Sequence, residues 1–194
     1  AGDRVHLTHK IEGLDYAKLH GRRLRLHFWV KASIAGNYGL GVRNGPSTRG
    51  YGSSYAVALA NTWERKTFDF DTDLGGTYLF DTTTGLSFEF ALAAGVNFQT
   101  PAGVWTATSN PTIAASGVTY ANYIGTGAAT LRIAQVSICP IETDSFSGVV
   151  IPFARAGKTI AQELAMCQRY YEKSYLPDQV PGAGVGAATA AGHF

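Results

Sequence analysis

Residues 22–33 read RRLRLHFWVKAS, and apolar and polar side chains alternate along them. The apolar positions are Leu24, Leu26, Phe28, Val30 and Ala32. The positions between them are Arg23, Arg25, His27, Trp29 and Lys31. Because a β-strand sends successive side chains to opposite faces, this stretch predicts a strand with one buried face. The other face carries cations around an indole, and the role of that indole is the first functional question.

The same alternation recurs along the chain, in residues 38–43, 51–59, 67–70, 86–92 and 129–138. In the last stretch the apolar parity changes from Leu131 and Ile133 to Val136 and Ile138, which predicts a β-bulge. Turn signals such as Asn44-Gly45-Pro46 separate the stretches. The pattern predicts an all-β fold, a jelly-roll β-sandwich of roughly eight antiparallel strands. We expect the Gly-rich connection over residues 94–126 to be the least regular part, with one or two short strands.

One C-terminal helix is predicted over residues 159–172. Thr159 and Gln162 form a capping-box pattern at its start. The helical face is set by Ile160, Leu164, Cys167 and Tyr171. We therefore expect one sandwich domain over residues 1–176, with the helix packed on it. Residues 177–194 are rich in Gly and Ala and predict a flexible tail or linker.

Composition argues against several classes of protein. The 194 residues carry a formal net charge of only +2 and contain two cysteines, too few for a disulfide scaffold or a metal knuckle. We expect both cysteines to be small buried apolar residues. The charge gives no sign of a nucleic-acid partner, and no apolar run is long enough to span a bilayer. No metal and no cofactor are expected.

Four separated stretches, in this order, resemble a jelly-roll module of bacteriophage tail fibres and minor virion proteins. They are IEGLDYAKLHGRRLRLHFWVKASIAGNYGLGVRN (11–44), TWERKTFDF (62–70), GLSFEFAL (85–92) and ELAMCQRYYEKSY (163–175). More distantly, the sandwich is similar to carbohydrate-binding modules. The resemblance implies a non-enzymatic structural module of a virion fibre or other surface appendage, exposed to the medium. It also implies a homotrimer, contacts with other fibre segments and recognition of a host-surface glycan. We expect the chain to be an excised domain of a longer fibre.

Two alternatives remain open. The chain is a carbohydrate-binding module attached to a polysaccharide-degrading enzyme, or a capsid or head fibre decoration that reads no receptor. We do not expect an enzyme in its own right, because no combination of nucleophile, base and orienting group is visible in the sequence.

The long connection supplies one set of candidate receptor contacts, Trp105, Tyr120 and Tyr123, because binding residues concentrate in loops on a rigid scaffold. The polar face of residues 22–33 supplies another. There Trp29 is a candidate sugar-stacking surface, and Arg25, His27 and Lys31 are candidate partners of sugar hydroxyl or acidic groups. Gly39 and Gly41 are expected to leave a flat floor beside them. The alternative is that Trp29 packs against a neighbouring segment or a sister subunit.

Two further motifs favour structural interpretations. Trp63, in NTWERK, is interpreted as a buried lid on one end of the sandwich. Asp69, Asp71 and Asp73 alternate like calcium ligands, but Leu74 and Phe80 stand where an EF-hand-type loop needs Gly and Glu. We interpret these acids as the solvated end of a strand.

Overall fold

The computed structural model describes residues 3–141, together with residues 159, 161, 162, 164 and 165. By its contacts the chain divides into two compact units, Ala1–Phe153 and Ala154–Phe194. The elements of the first unit are β1 (Arg4–Glu12), α1 (Gly13–Tyr16), β2 (Arg23–Ala32), β3 (Gly36–Asn44), β4 (Arg49–Val57), β5 (Glu64–Asp71), β6 (Thr84–Ala94), a 3₁₀ turn (Val96–Phe98), β7 (Gln99–Thr100), β8 (Trp105–Ala107), β9 (Ala114–Ala115) and β10 (Leu131–Pro140).

Eight of these strands form two antiparallel sheets, in the orders β1-β6-β3-β4-β8 and β10-β2-β5. The chain passes from one sheet to the other between β1 and β2, β2 and β3, β4 and β5, and β5 and β6, as a jelly roll does. The predicted all-β antiparallel sandwich is confirmed. The connection after β6 holds three short strands, of which β7 and β9 pair in parallel as a separate small ladder.

The core lies between the two sheets and consists of the apolar parity of each long strand. Leu24, Leu26, Phe28, Val30, Leu86, Phe88 and Phe90 are all buried. The ring of Phe28 meets Tyr55 and Phe90 of the opposite sheet edge-on, with centroids 5.1 and 4.9 Å apart. Edge-to-face rings at this spacing attract one another beyond their area burial, so these contacts hold the two sheets together.

The predicted bulge in β10 is confirmed. Ala134 pairs with Trp29 and Ser137 pairs with His27, so two residues of β10, Gln135 and Val136, lie opposite the single residue Phe28 of β2, which is one more than a regular ladder has. Gln135, within the bulge, has a φ of 52°, in the left-handed region. The bulge keeps Leu131, Ile133, Val136 and Ile138 all packed against the core.

Residues 112–114 cover the outer face of the five-stranded sheet. This segment runs across Gly39 and Gly41 of β3, where a Cβ added to Gly41 would lie 2.3 Å from the carbonyl oxygen of Thr112. Ile113 and Ala114 are consequently buried, although they belong to the connection after β6. The glycines of β3 are therefore required by the close approach of this segment.

In the second unit, the predicted helix start is confirmed. The Thr159 N–H donates to Oε1 of Gln162 (2.9 Å), and the Gln162 N–H donates to Oγ1 of Thr159 (3.3 Å), which is a reciprocal capping box. Residues 161, 162, 164 and 165 are helical. Cys167, the end of the helix at residue 172 and the tail 177–194 lie outside the described residues, and the domain bounds stay a prediction. None of the helices that the structure describes has the length and apolar character needed to cross a membrane.

Candidate functional site

The polar side chains of residues 22–33 lie on the outer face of the three-stranded sheet, where β2 is the central strand. Cross-strand pairing arranges this face in rows. From one end to the other they are Cys139–Arg25–Asp69, Ser137–His27–Thr67, Ala134–Trp29–Arg65 and Arg132–Lys31. Residues paired across antiparallel strands share a face, so each row is a set of neighbouring side chains.

Arg25 is held in an ion pair within the protein. Its side chain donates from Nε to Oδ1 of Asp69 (2.7 Å) and from Nη2 to Oδ2 of Asp69 (2.6 Å), a two-point pairing. The hydrogen bonds to Asp69 raise the pKa of Arg25. Arg25 is only 5% exposed. The expectation that Arg25 lies on a solvent-exposed face was wrong. The ion pair with Asp69 neutralises the guanidinium and so lowers the free-energy cost of burying it.

His27 is also buried, with 2% of its surface exposed. Among the described residues, neither ring nitrogen has a hydrogen-bond partner. Burial lowers the pKa of His27, and the positive charges of Arg65 and Arg25 lower it further. The imidazole is therefore neutral near pH 7, and the expectation of an exposed His27 was wrong.

Trp29, by contrast, is partly exposed, and both interpretations of it, sugar contact and subunit contact, stay predictions. It is 36% exposed, Trp63 is 42% exposed, and both line a shallow groove of about 360 Å³ with Ala134 and Gln135. In the part of the chain that the structure describes, neither indole N–H has a hydrogen-bond partner. The interpretation of Trp63 as a buried lid was wrong, since Trp63 flanks β5 and lies open beside Trp29. Small Ala134 and the bulged Gln135 were not predicted to belong to this site.

The glycine floor expected beside Trp29 does not exist. β2 and β3 belong to different sheets, so Gly39 and Gly41 are not neighbours of Trp29. Their own face is filled by residues 112–114. The two strands are consecutive in sequence, but the connection between them crosses from one sheet to the other.

The three loop aromatics each donate their polar hydrogen to a backbone carbonyl. Trp105 belongs to β8, and its Nε1–H donates to the carbonyl oxygen of Asp71 (2.7 Å). The Tyr120 hydroxyl donates to the carbonyl of Ala115 (2.6 Å).

The Tyr123 hydroxyl donates to the carbonyl of Ala129 (2.9 Å). Trp105 and Tyr123 pack on the main core, whereas Tyr120 packs on the smaller cluster around Ile113. The structure does not gather the three rings into one site.

The alternating acids are mostly paired with arginines. Asp69 binds Arg25, and Asp73 accepts hydrogen bonds from Nε (2.5 Å) and Nη2 (3.0 Å) of Arg49. Only Asp71 is solvated as expected. Within residues 3–141 and the described helical residues, no three His, Cys, Asp or Glu side chains lie close enough together to hold a metal ion.

A buried polar cluster on the five-stranded sheet was not predicted. Glu89 of β6 is fully buried and accepts hydrogen bonds from Arg43, through its Nη2 and, at 2.8 Å, its Nε. Thr8 donates to Glu89 (2.5 Å), and Nε2 of His6 lies 3.3 Å from it. Glu89 falls on the polar parity of its strand, and the sequence carries no sign that this parity is also buried.

The Trp29–Trp63 groove, defined by Trp29, Trp63, Ala134 and Gln135, is thus where exposed aromatic surface coincides with one of the predicted site residues, Trp29. No protein-family model matches the chain, and neither a curated protein nor a solved structure matches it significantly.

Proposed function

We propose that the chain is a non-enzymatic module of a bacteriophage fibre or similar virion appendage, and that its Trp29–Trp63 groove contacts a host-surface glycan. The observation that carries the proposal is the pair of half-exposed indoles lining one groove. An indole face packs well on the C–H face of a sugar ring, and an unpartnered indole N–H can donate to a hydroxyl. The four stretches that resemble fibre modules support the virion context.

The charged groups of the described residues support a structural rather than a catalytic role. The buried carboxylates are held by arginines: Glu89 by Arg43 and Asp73 by Arg49. A general acid or base needs a carboxyl or imidazole that faces a cleft and can exchange its proton. The Trp29–Trp63 groove is lined by no such group.

A second function is favoured by the same indoles. Exposed tryptophans are enriched in the centres of protein interfaces, so the groove is also suited to contact a sister chain in the proposed homotrimer. A fibre module that binds sugar weakly at each site gains strength from several copies. The two uses exclude each other only if the trimer contact covers the groove.

A glycan array, combined with light scattering on each purified variant, tests the proposal. We expect Trp29→Ala and Trp63→Ala to abolish glycan binding while the assembly stays that of the parent protein. Leu74→Ala, at an exposed apolar position outside the groove, is the matched control and should change neither property. Loss of assembly with glycan binding retained would instead identify the groove as a subunit contact.

A further inference from the structure

The end of the outer face that holds the Trp29–Trp63 groove is strongly cationic. Lys31 and Arg132 are directly opposite each other on β2 and β10, and Arg65 pairs with Trp29 from the other side. The positive charge of Arg65 also acts on His27, in the next row of this face, since it is one of the charges that lower the pKa of that buried imidazole.

Two of these cations are not neutralised within the described residues. Neither Lys31 nor Arg132 has an ion pair or a side-chain hydrogen bond there. Like charges directly opposite each other on neighbouring strands destabilise a sheet. Since no described residue offsets this repulsion, a bound anion would be a suitable counter-charge.

The acids near this surface, among the residues that the structure describes, already have other partners. Asp69 lies three rows away from Lys31 and Arg132 and is held by Arg25. Glu64 follows Trp63 but is on the opposite parity, where it accepts a hydrogen bond from Lys66 (2.6 Å) and one from the backbone N–H of Leu59 (2.7 Å). The hydrogen bond from Lys66 is the main reason that the pKa of Glu64 falls to about 2. Neither acid is placed to neutralise Lys31 and Arg132.

We propose that the Trp29–Trp63 groove selects acidic glycans, with the indoles stacking on sugar rings and Lys31 and Arg132 binding a sugar carboxylate. This inference rests on the proposed glycan-binding function and names its ligand class. Arginine and lysine donate charge-assisted hydrogen bonds to carboxylates, and these are stronger than bonds to neutral hydroxyls. Stacking and charge pairing thus act on different parts of one ligand.

The test compares an oligouronate with the same oligosaccharide after its carboxyl groups are reduced to alcohols. We expect the parent protein to bind the acidic form at least about tenfold more tightly, as one charge-assisted contact implies. Added salt should weaken binding of the acidic form only. The variant Lys31→Gln/Arg132→Gln should lose the preference, while Lys10→Gln/Arg22→Gln, which removes the same charges at exposed positions elsewhere, should keep it.

The outcomes separate this inference from the function on which it rests. Equal affinity for the two oligosaccharides, or a preference that survives in Lys31→Gln/Arg132→Gln, would overturn the acidic-glycan inference and leave glycan binding intact. Binding of neither oligosaccharide, in a protein that also fails on a glycan array, would overturn both. Self-association that depends on Lys31 and Arg132, with no sugar bound, would assign the same surface to an acidic patch of a sister chain.

Discussion

Substituting Gly41 by alanine tests whether residues 112–114 lie on the five-stranded sheet. The added methyl would be 2.3 Å from the carbonyl oxygen of Thr112 and 2.6 Å from Cα of Ile113. Non-bonded carbon contacts are normally about 3.5–4.0 Å. Both neighbouring atoms belong to the backbone, so the whole segment must withdraw by roughly 1 Å.

The cost follows from what that movement disturbs. Overpacking a tight core costs about 1–3 kcal/mol. Withdrawal also strains the hydrogen bond from the Ile113 N–H to the carbonyl of Phe98 (3.0 Å), at a further cost of about 1 kcal/mol if it is lost. The lower chain entropy of unfolded alanine returns roughly 0.4–1 kcal/mol. The net loss of unfolding free energy lies within about 1–4 kcal/mol, and its middle value of about 2–3 kcal/mol lowers Tm by roughly 4–12 °C in a chain of this size.

Thermal unfolding followed by circular dichroism measures the effect. Gly127→Ala is the matched control, because a Cβ added at Gly127 meets no atom within 4 Å. The control should melt within about 2 °C of the parent protein. If Gly41→Ala melts together with Gly127→Ala, the segment does not cover β3 and the account of the glycines is refuted.

Two further predictions concern buried charge. Glu89→Gln leaves the half-buried guanidinium of Arg43 without its counter-charge and should lower the unfolding free energy in urea by about 3 kcal/mol. Asp15→Asn, in an exposed pair with Lys18, should change the unfolding free energy by less than about 0.5 kcal/mol. Equal effects of the two substitutions would contradict the Glu89 network. Burial lowers the pKa of His27, so the unfolded chain binds its proton more readily. Stability should therefore fall as pH drops below about 6.5, by at most about 1.4 kcal/mol per pH unit for this group. His27→Gln should flatten that slope, with His6 and His9 contributing the remainder, and an unchanged slope would contradict the assignment.

The side chains that face the core of the sandwich were predictable, because the alternation of apolar and polar residues along a strand follows which face is buried. Phe88 and Phe90 could be placed in the core from parity alone, since a one-residue slip would expose both of them to water. The bulge in β10 was predictable for the same reason. Two apolar pairs of opposite parity reach one core only if additional residues lie between them.

The outer faces were not predictable in this way. Polar parity means solvent only if nothing covers it, and Glu89 and His27 both lie on polar parity and are buried. The face of the sheet that carries Glu89 is covered in part by Thr112 and Ile113. These residues belong to a stretch in which apolar and polar side chains do not alternate. Strand partnership was equally hidden, because β2 and β3 are consecutive in sequence but belong to opposite sheets.

For the three tryptophans, the hydrogen-bond partner of the indole N–H indicates the role of the side chain better than the sequence context does. From sequence, Trp105 in a long loop looked free to bind, and Trp63 beside a core strand looked buried. The structure reverses both interpretations. The indole N–H of Trp105 donates to a backbone carbonyl, whereas the indole N–H groups of Trp29 and Trp63 have no partner within residues 3–141. A tryptophan whose donor is satisfied inside the protein stabilises the fold at that point. Trp29 and Trp63 are partly exposed, and their donors have no partner among the described residues. They lie beside two cations that no described acid neutralises, and this combination supports the proposed ligand-binding role of the groove.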